Sequence, residues 1–138
     1  MAKLPEEVYN ALQSAKSIKV MATVDKEKVL NVVPIGSIKA IGEETLAFAN
    51  VFPESRNKKN IESTRRVAIA VFEAPDGYQI KGTFLKWHTS GEVFDEIASE
   101  VNKTMQKLGV DQKVEEVGTI KVNEVYALSI PVAGTKLA

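Results

Sequence analysis

Apolar and polar positions along the chain change period several times, and each change marks an element. Leu4, Val8, Leu12 and Ala15 recur at helical intervals. Pro5 stands where a first helical residue is expected and Glu6 and Glu7 fall in the first turn, so residues 4–15 are predicted to form a helix. Residues 18–24 (IKVMATV) switch to period two: Ile18, Val20, Ala22 and Val24 alternate with Lys19, Met21 and Thr23, as in a half-buried strand. After a polar turn at Asp25–Lys28, an extended segment runs from Val29 to Ile41, interrupted by Pro34 and Gly36. Proline cannot donate to a ladder, and glycine lets another group approach the backbone closely. The stretch is therefore either a bent edge strand or a place where the sheet offers backbone to a ligand.

Further strands are expected at 45–51 (TLAFANV), 66–74 (RVAIAVFEA) and 78–88 (YQIKGTFLKWH), with turns at Gly42–Glu44 and Pro75–Gly77. Val67, Ile69 and Val71 share one face of residues 66–74. Ala68 and Ala70 share the other, where small side chains leave room for a helix or a flat ligand. In 78–88 the apolar parity runs through Tyr78, Ile80, Gly82 and Phe84, then shifts to Leu85 and Trp87, which implies a bulge or bend. Phe94, Ile97, Ala98, Val101, Met105 and Leu108 form one stripe of a second helix over 92–108, stopped by Gly109. Residues 119–131 hold one or two further strand segments, with Asn123-Glu124 as a possible break. No linker or repeat interrupts this order, so residues 1–138 are expected to be one domain. Antiparallel strands with a parity slip predict a mainly β fold, a closed or partly split barrel with flanking helices.

Composition narrows the chemistry. The formal net charge is zero, which argues against a general nucleic-acid or anionic-membrane binder, so any basic function must be local. There is no Cys and one His, which excludes thiolate nucleophiles, disulfides and Cys- or His-cluster metal sites. The start, MAKLPEEVYNALQ, lacks the continuous apolar run of a signal peptide or membrane span, and a cytoplasmic protein is expected.

The local exception is "ESRNKKNIESTRRVAIAVF", residues 54–72. Arg56, Lys58, Lys59, Arg65 and Arg66 stand there against Glu54 and Glu62. Ser55 follows Pro53 and can cap a helix over Arg56–Thr64. An Arg in the first turn opposes the helix dipole unless an anion occupies that end, and a phosphate would satisfy the free N–H groups and the guanidinium together. A solvated connector is the competing reading. Ile61 is expected to face the core, and Asn60 to fix the helix through backbone hydrogen bonds.

The run SRNKKNIESTRRVAIAVF resembles a segment of the pyridoxamine 5'-phosphate oxidase-like, FMN-binding split-barrel family. VMATVD…LNVVPIG is similar to that family's first hairpin, and TLAFAN to the strand leading to its phosphate site. YQIKGTF…EVFDEI and the ending YALSIPVAGTKL agree as well. The resemblance covers nearly the whole chain and implies a six-stranded antiparallel split barrel, assembled as a homodimer with FMN at the subunit interface. It implies phosphate binding by Arg56 and Asn57 with Lys58 or Lys59 in support, and contributions from Ala49 and Asn50. The flavin ring would lie along the backbone of Val32, Val33, Pro34, Ile35 and Gly36. The chain departs from the vitamin oxidases in carrying Asp25-Lys26-Glu27-Lys28 at the first turn and Asn57 in place of a Lys. It also lacks a cluster matching their substrate site. FMN binding is thus implied more strongly than vitamin oxidase activity.

A flavin carries its own redox chemistry, so the missing Cys does not argue against an oxidoreductase or electron carrier. Its substrate is not specified by the sequence. His88, beside Trp87, is a structural or exposed residue or else lies near the flavin edge. The alternatives are a non-redox barrel for another phosphorylated ligand, or a relative using F420 or haem. Single-stranded nucleic acid as the ligand is disfavoured, because no aromatics interleave with the cations.

Overall fold

The computed structural model describes residues 2–138. In chain order its elements are α1 (Glu6–Gln13), β1 (Ile18–Val24), β2 (Leu30–Pro34), β3 (Lys39–Ala40), β4 (Thr45–Asn50), α2 (Arg56–Thr64), β5 (Arg66–Glu73), β6 (Asp76–His88), α3 (Glu92–Lys107) and β7 (Glu116–Ala127). The strands form one antiparallel sheet in the order β2-β1-β5-β6-β7-β4-β3. β2 and β3 follow one another in the chain yet stand at opposite edges. The link between them, residues 35–38, can span no more than about 18 Å from Pro34 to Lys39. The sheet must therefore curl until its edges nearly meet, giving a barrel with one open seam. The expected six strands become seven because the Val29–Ile41 segment divides at this seam.

The curl gathers side chains from distant strands into one core. Met21, Leu46, Phe48, Ile69, Val71, Ile80, Phe84, Ile120, Val122 and Val125 meet there, with Val8 and Leu12 of α1 and Ile61 of α2. Each fully buried side chain of this kind stabilises by about 1.5–3 kcal/mol. α3 lies outside the barrel and packs Ile97 and Ala98 against Ala47, Ala49 and Val117, while Leu108, the end of its stripe, is exposed. The tail turns back along β7, where Leu137 N donates to Val125 O at 2.7 Å. No helix among the described residues is long and apolar enough to cross a membrane.

The parity slip in β6 is a bulge. The β6–β7 register jumps between Phe84 and Lys86, leaving Leu85 unpaired, and again between Lys81 and Gly82, where Asn123 is the extra residue. Asn123-Glu124 therefore bulges the last strand without breaking it, and β7 begins at Glu116, three residues earlier than expected. A Cβ at Gly82 would stand 2.5 Å from Ile120 Cγ2 and 2.7 Å from Lys121 O, so glycine is what lets the strands approach at that bulge.

β1 alternates as expected, with the sense reversed from its polarity. Lys19, Met21 and Thr23 point inward and are buried, while Ile18 is 55% exposed and Val20, Ala22 and Val24 are half-buried. Val20 and Ala22 pair with Pro34 and Val32 of β2 on one side and with Ala70 and Ala68 of β5 on the other. These six residues, with Leu30, form an apolar outer face across three strands.

Candidate functional site

The basic segment folds as its sequence indicates. Ser55 caps α2, its Oγ accepting from Lys58 N at 3.1 Å. No acidic residue stands in the first turn, so the guanidinium of Arg56 and the leading N–H groups share the positive end of the helix. Arg56 itself is exposed. The helix ends at Arg65, whose left-handed backbone (φ 61°) closes the last turn. The Arg65 guanidinium donates to the carbonyls of Phe84 and Leu85 at 3.1 Å each, which ties it to the β6 bulge.

The five cations thus have separate duties. Lys58 pairs with Glu116 at the start of β7, and Glu116 Oε1 also accepts from Asn50 Nδ2 at 3.0 Å. Lys58 Nζ stands 5.5 Å from the centre of the Trp87 ring. The hydrogen bond to Glu116 raises the Lys58 pKa above its ordinary value. Lys59 only approaches Glu54, at 4.0 Å, and both side chains are largely exposed. Arg66 opens β5 on the outer face with Ala68 and Ala70. Glu116 is the site residue that sequence reasoning missed. Its only signal was a carboxylate just ahead of an apolar strand.

Two buried asparagines seat α2 on β1. Asn60 Nδ2 donates to Thr23 Oγ1 at 3.2 Å, so Asn60 holds a neighbouring strand through a side chain and not, as expected, its own helix through the backbone. Asn57 Nδ2 lies 3.5 Å from Met21 Sδ, a weak contact. Asn57 Oδ1 is buried with no hydrogen-bond partner.

The expected ring-binding residues divide by the pleat. Val33 pairs with Met21 and shares its inward side, while Val32 and Pro34 point to the outer face. Ile35 N donates to Lys19 O at 3.0 Å, which carries the ladder one residue past Pro34. Gly36 lies in the seam, where an added Cβ would meet nothing within 4 Å. Ser37 Oγ accepts from Ala49 N at 2.9 Å and joins the seam to the end of β4. Val33, Ile35, Gly36, Ala49, Asn50 and the start of α2 therefore converge at one end of the barrel. Val32 and Pro34 reach that place only by their backbone. His88 pairs with Val117, and its Nε2 lies 3.5 Å from Thr119 Oγ1. Burial, and then the charge of Lys86, lower its pKa.

Chemically, the convergence offers a cationic helix start, a buried acceptor without a donor, and accessible backbone. It suits a ligand with an anionic group, hydroxyls beside it and a flat body.

No curated protein matches the chain in sequence. Among solved structures it is similar to HupZ of Group A Streptococcus, with 22% identity, a TM-score of 0.75, and 96% of this chain and 98% of that one covered. An FMN-binding protein from Syntrophomonas wolfei subsp. wolfei shows 20% identity and a TM-score of 0.72 over 88% of this chain and 82% of its own. An F420 reductase shows 14% identity and a TM-score of 0.65 over 88% and 98%. At such identities the likeness establishes the split-barrel fold. The family model for pyridoxamine 5'-phosphate oxidase matches residues 4–129. With all but the two ends matched, the chain belongs to the pyridoxamine 5'-phosphate oxidase family.

Proposed function

We propose that this protein is an FMN-binding flavoprotein, an oxidoreductase or electron carrier that holds its cofactor at the interface of a homodimer. The start of α2 carries this reading: exposed Arg56 and the leading N–H groups not taken by the Ser55 cap share an end with no acidic residue in its first turn. A phosphate there accepts from both. The residues present also fit the remainder of FMN. Hydroxyls of the ribityl chain, next to the phosphate, are donors of the kind that Asn57 Oδ1 lacks. The open space at Gly36 admits a flat ring against the backbone of the seam. Lys58 stays with Glu116 and stiffens the wall that Asn50 shares, while Lys59 is free to swing toward the phosphate.

When bound, FMN would supply the hydride or electron transfer. The chain's own residues would anchor the phosphate, orient the ring and exclude water. The outer face supports the dimer. Leu30 is 78% and Val32 64% exposed beside Val20, Ala22, Ala68 and Ala70, and contiguous apolar surface of this kind marks an interaction site. A second copy applied to that face would cover Val32 and Pro34 at the ring site. The F420 reductase of the same fold makes a deazaflavin the alternative cofactor.

The absorption spectrum of the freshly purified protein, before and after adding FMN, tests the reading. A flavin spectrum with quenched FMN fluorescence is expected. A colourless protein that leaves FMN fluorescence unchanged would overturn it, and uptake of F420 alone would replace the cofactor.

A further inference from the structure

A second cavity lies beside this site, and Lys19 forms part of its wall. A cleft of about 560 Å³ opens between the end of α1, the seam and α3. It shares Gly36 and Ala49 with the proposed FMN site but none of α2. Lys19 projects from the inward face of β1 and is only 5% exposed. Its sole hydrogen-bond acceptor among the described residues is Gly36 O, at a long 3.5 Å, so its ammonium keeps donors unused. No carboxylate of the described residues lies within ion-pair distance of it. The nearby charges are Lys39 of β3 and Glu100 of α3, which already engage each other at 2.7 Å. Gln13 and Ser14, facing the cleft from α1 and its end, do not titrate.

A buried ammonium without an anion is costly. Desolvation, and then the charge of Lys39, pull the Lys19 pKa down, with Glu100 opposing. The rest of the lining explains what would reside there. Ile97, Val101 and Met105 of α3 and Val51 give an apolar wall opposite the cation. Lys39 and Glu100 cancel, so Lys19 leaves a single positive charge. A monoanion balances it, whereas a phosphate dianion would leave a surplus negative charge in a half-enclosed site.

We infer that this cleft is a binding site, separate from the FMN phosphate site, for a small organic monocarboxylate. Lys19 takes its carboxylate, and α3 takes its apolar body. The cleft adjoins the seam, so a carboxylate ligand there would lie next to the proposed flavin.

The test titrates benzoate and hexanoate into the wild-type protein and Lys19→Met by calorimetry, with inorganic phosphate as comparison. The Lys19 Cε resonance is followed by NMR in the wild type. Saturable one-to-one binding of at least one carboxylate is expected, weakened on the order of tenfold or more in Lys19→Met, since a charge-assisted hydrogen bond is lost. Phosphate should bind more weakly, and the Lys19 resonance should shift saturably as the carboxylate pairs with its ammonium. FMN affinity should be the same in both proteins. Absence of saturable carboxylate binding, or equal binding by Lys19→Met, would overturn the inference. A loss of FMN affinity in Lys19→Met would overturn the separateness of the two sites. Should Lys19→Met fail to fold, an unmoved Lys19 resonance in the wild type refutes the site by itself. A wild type that takes up no FMN would defeat the flavoprotein reading and leave the carboxylate result to be judged alone.

Discussion

Replacing Asn57 by Leu should stabilise the FMN-free protein and weaken its hold on FMN. Asn57 Oδ1 is buried without a partner, and the amide's other contact is a weak one, 3.5 Å to Met21 Sδ. Leaving a buried acceptor unsatisfied costs about 1–3 kcal/mol. Leucine has a similar branched outline, fills the same space beside Met21 and carries no polar atom. Its slightly larger volume takes back part of the gain through crowding. The net expectation is a gain of about 1–2 kcal/mol, or a Tm higher by roughly 3–8 °C for a chain of this length. With FMN the order changes. If a ribityl hydroxyl donates to Oδ1, the variant forgoes one neutral hydrogen bond of about 0.5–1.5 kcal/mol, roughly a 2- to 12-fold rise in Kd. Thermal unfolding by circular dichroism, with and without FMN, together with a fluorescence titration, reads both quantities. A Tm lower than wild type without FMN would show that the amide is satisfied in the free protein. A higher Tm with unchanged FMN affinity would show that the orphan oxygen has no part in binding.

Three further perturbations probe the same end of the barrel. Arg56→Ala should leave the fold intact, because the side chain is exposed, and weaken FMN by about 1.5–3 kcal/mol, some 10- to 150-fold, in a quenching titration. Unchanged affinity would place the phosphate elsewhere. Glu116→Gln should destabilise the protein in chemical denaturation, since it leaves Lys58 without its counter-ion while Asn50 keeps an acceptor. The Lys58 pKa is higher in the folded protein than in the unfolded one, chiefly through its hydrogen bond to Glu116. The stability this pair contributes is therefore fully present below the ordinary lysine value and lost as pH rises through the raised one. On the alkaline side the difference between wild type and Glu116→Gln should accordingly persist past neutral pH and shrink in strong alkali, and a difference that vanished near neutral pH would refute the pairing. Gly118→Ala should cost about 1–3 kcal/mol by overpacking, because the new Cβ would stand 2.7 Å from the Phe48 ring and 2.8 Å from Trp87. A neutral effect on Tm would mean that the aromatic cluster beneath Lys58 is looser than its geometry.

Much of this architecture can be read from residues alone, and the limits have physical causes. Ser55 and the uninterrupted apolar run after Arg66 define α2 and β5, because capping and period are local properties. The shift from Phe84 to Leu85 reports the bulge for the same reason. The division of the Val29–Ile41 segment is less legible, since β3 is only two residues long and owes its existence to pairing with β4. β1 misleads more seriously. Apart from Met21 its apolar residues face outward, while Lys19 faces inward, an order that the proposed dimer and the proposed anion site would account for. Polarity along one strand reveals neither a partner nor a ligand. The site is legible in part: the cationic, Ser55-capped start of α2 follows from charge and capping. The commitment of Lys58 to Glu116 and the orphaned oxygen of Asn57 depend on contacts between elements far apart in sequence.

The central claim is that a phosphate-bearing flavin sits at the start of α2 within a dimer. Its most direct measurement is a fluorescence titration of FMN into protein of known concentration, with the mass of the complex taken by light scattering. Saturable quenching at one FMN per chain, in a particle of twice the chain's mass, is expected. FMN fluorescence that stays unquenched, or a saturated complex of single-chain mass, would contradict it.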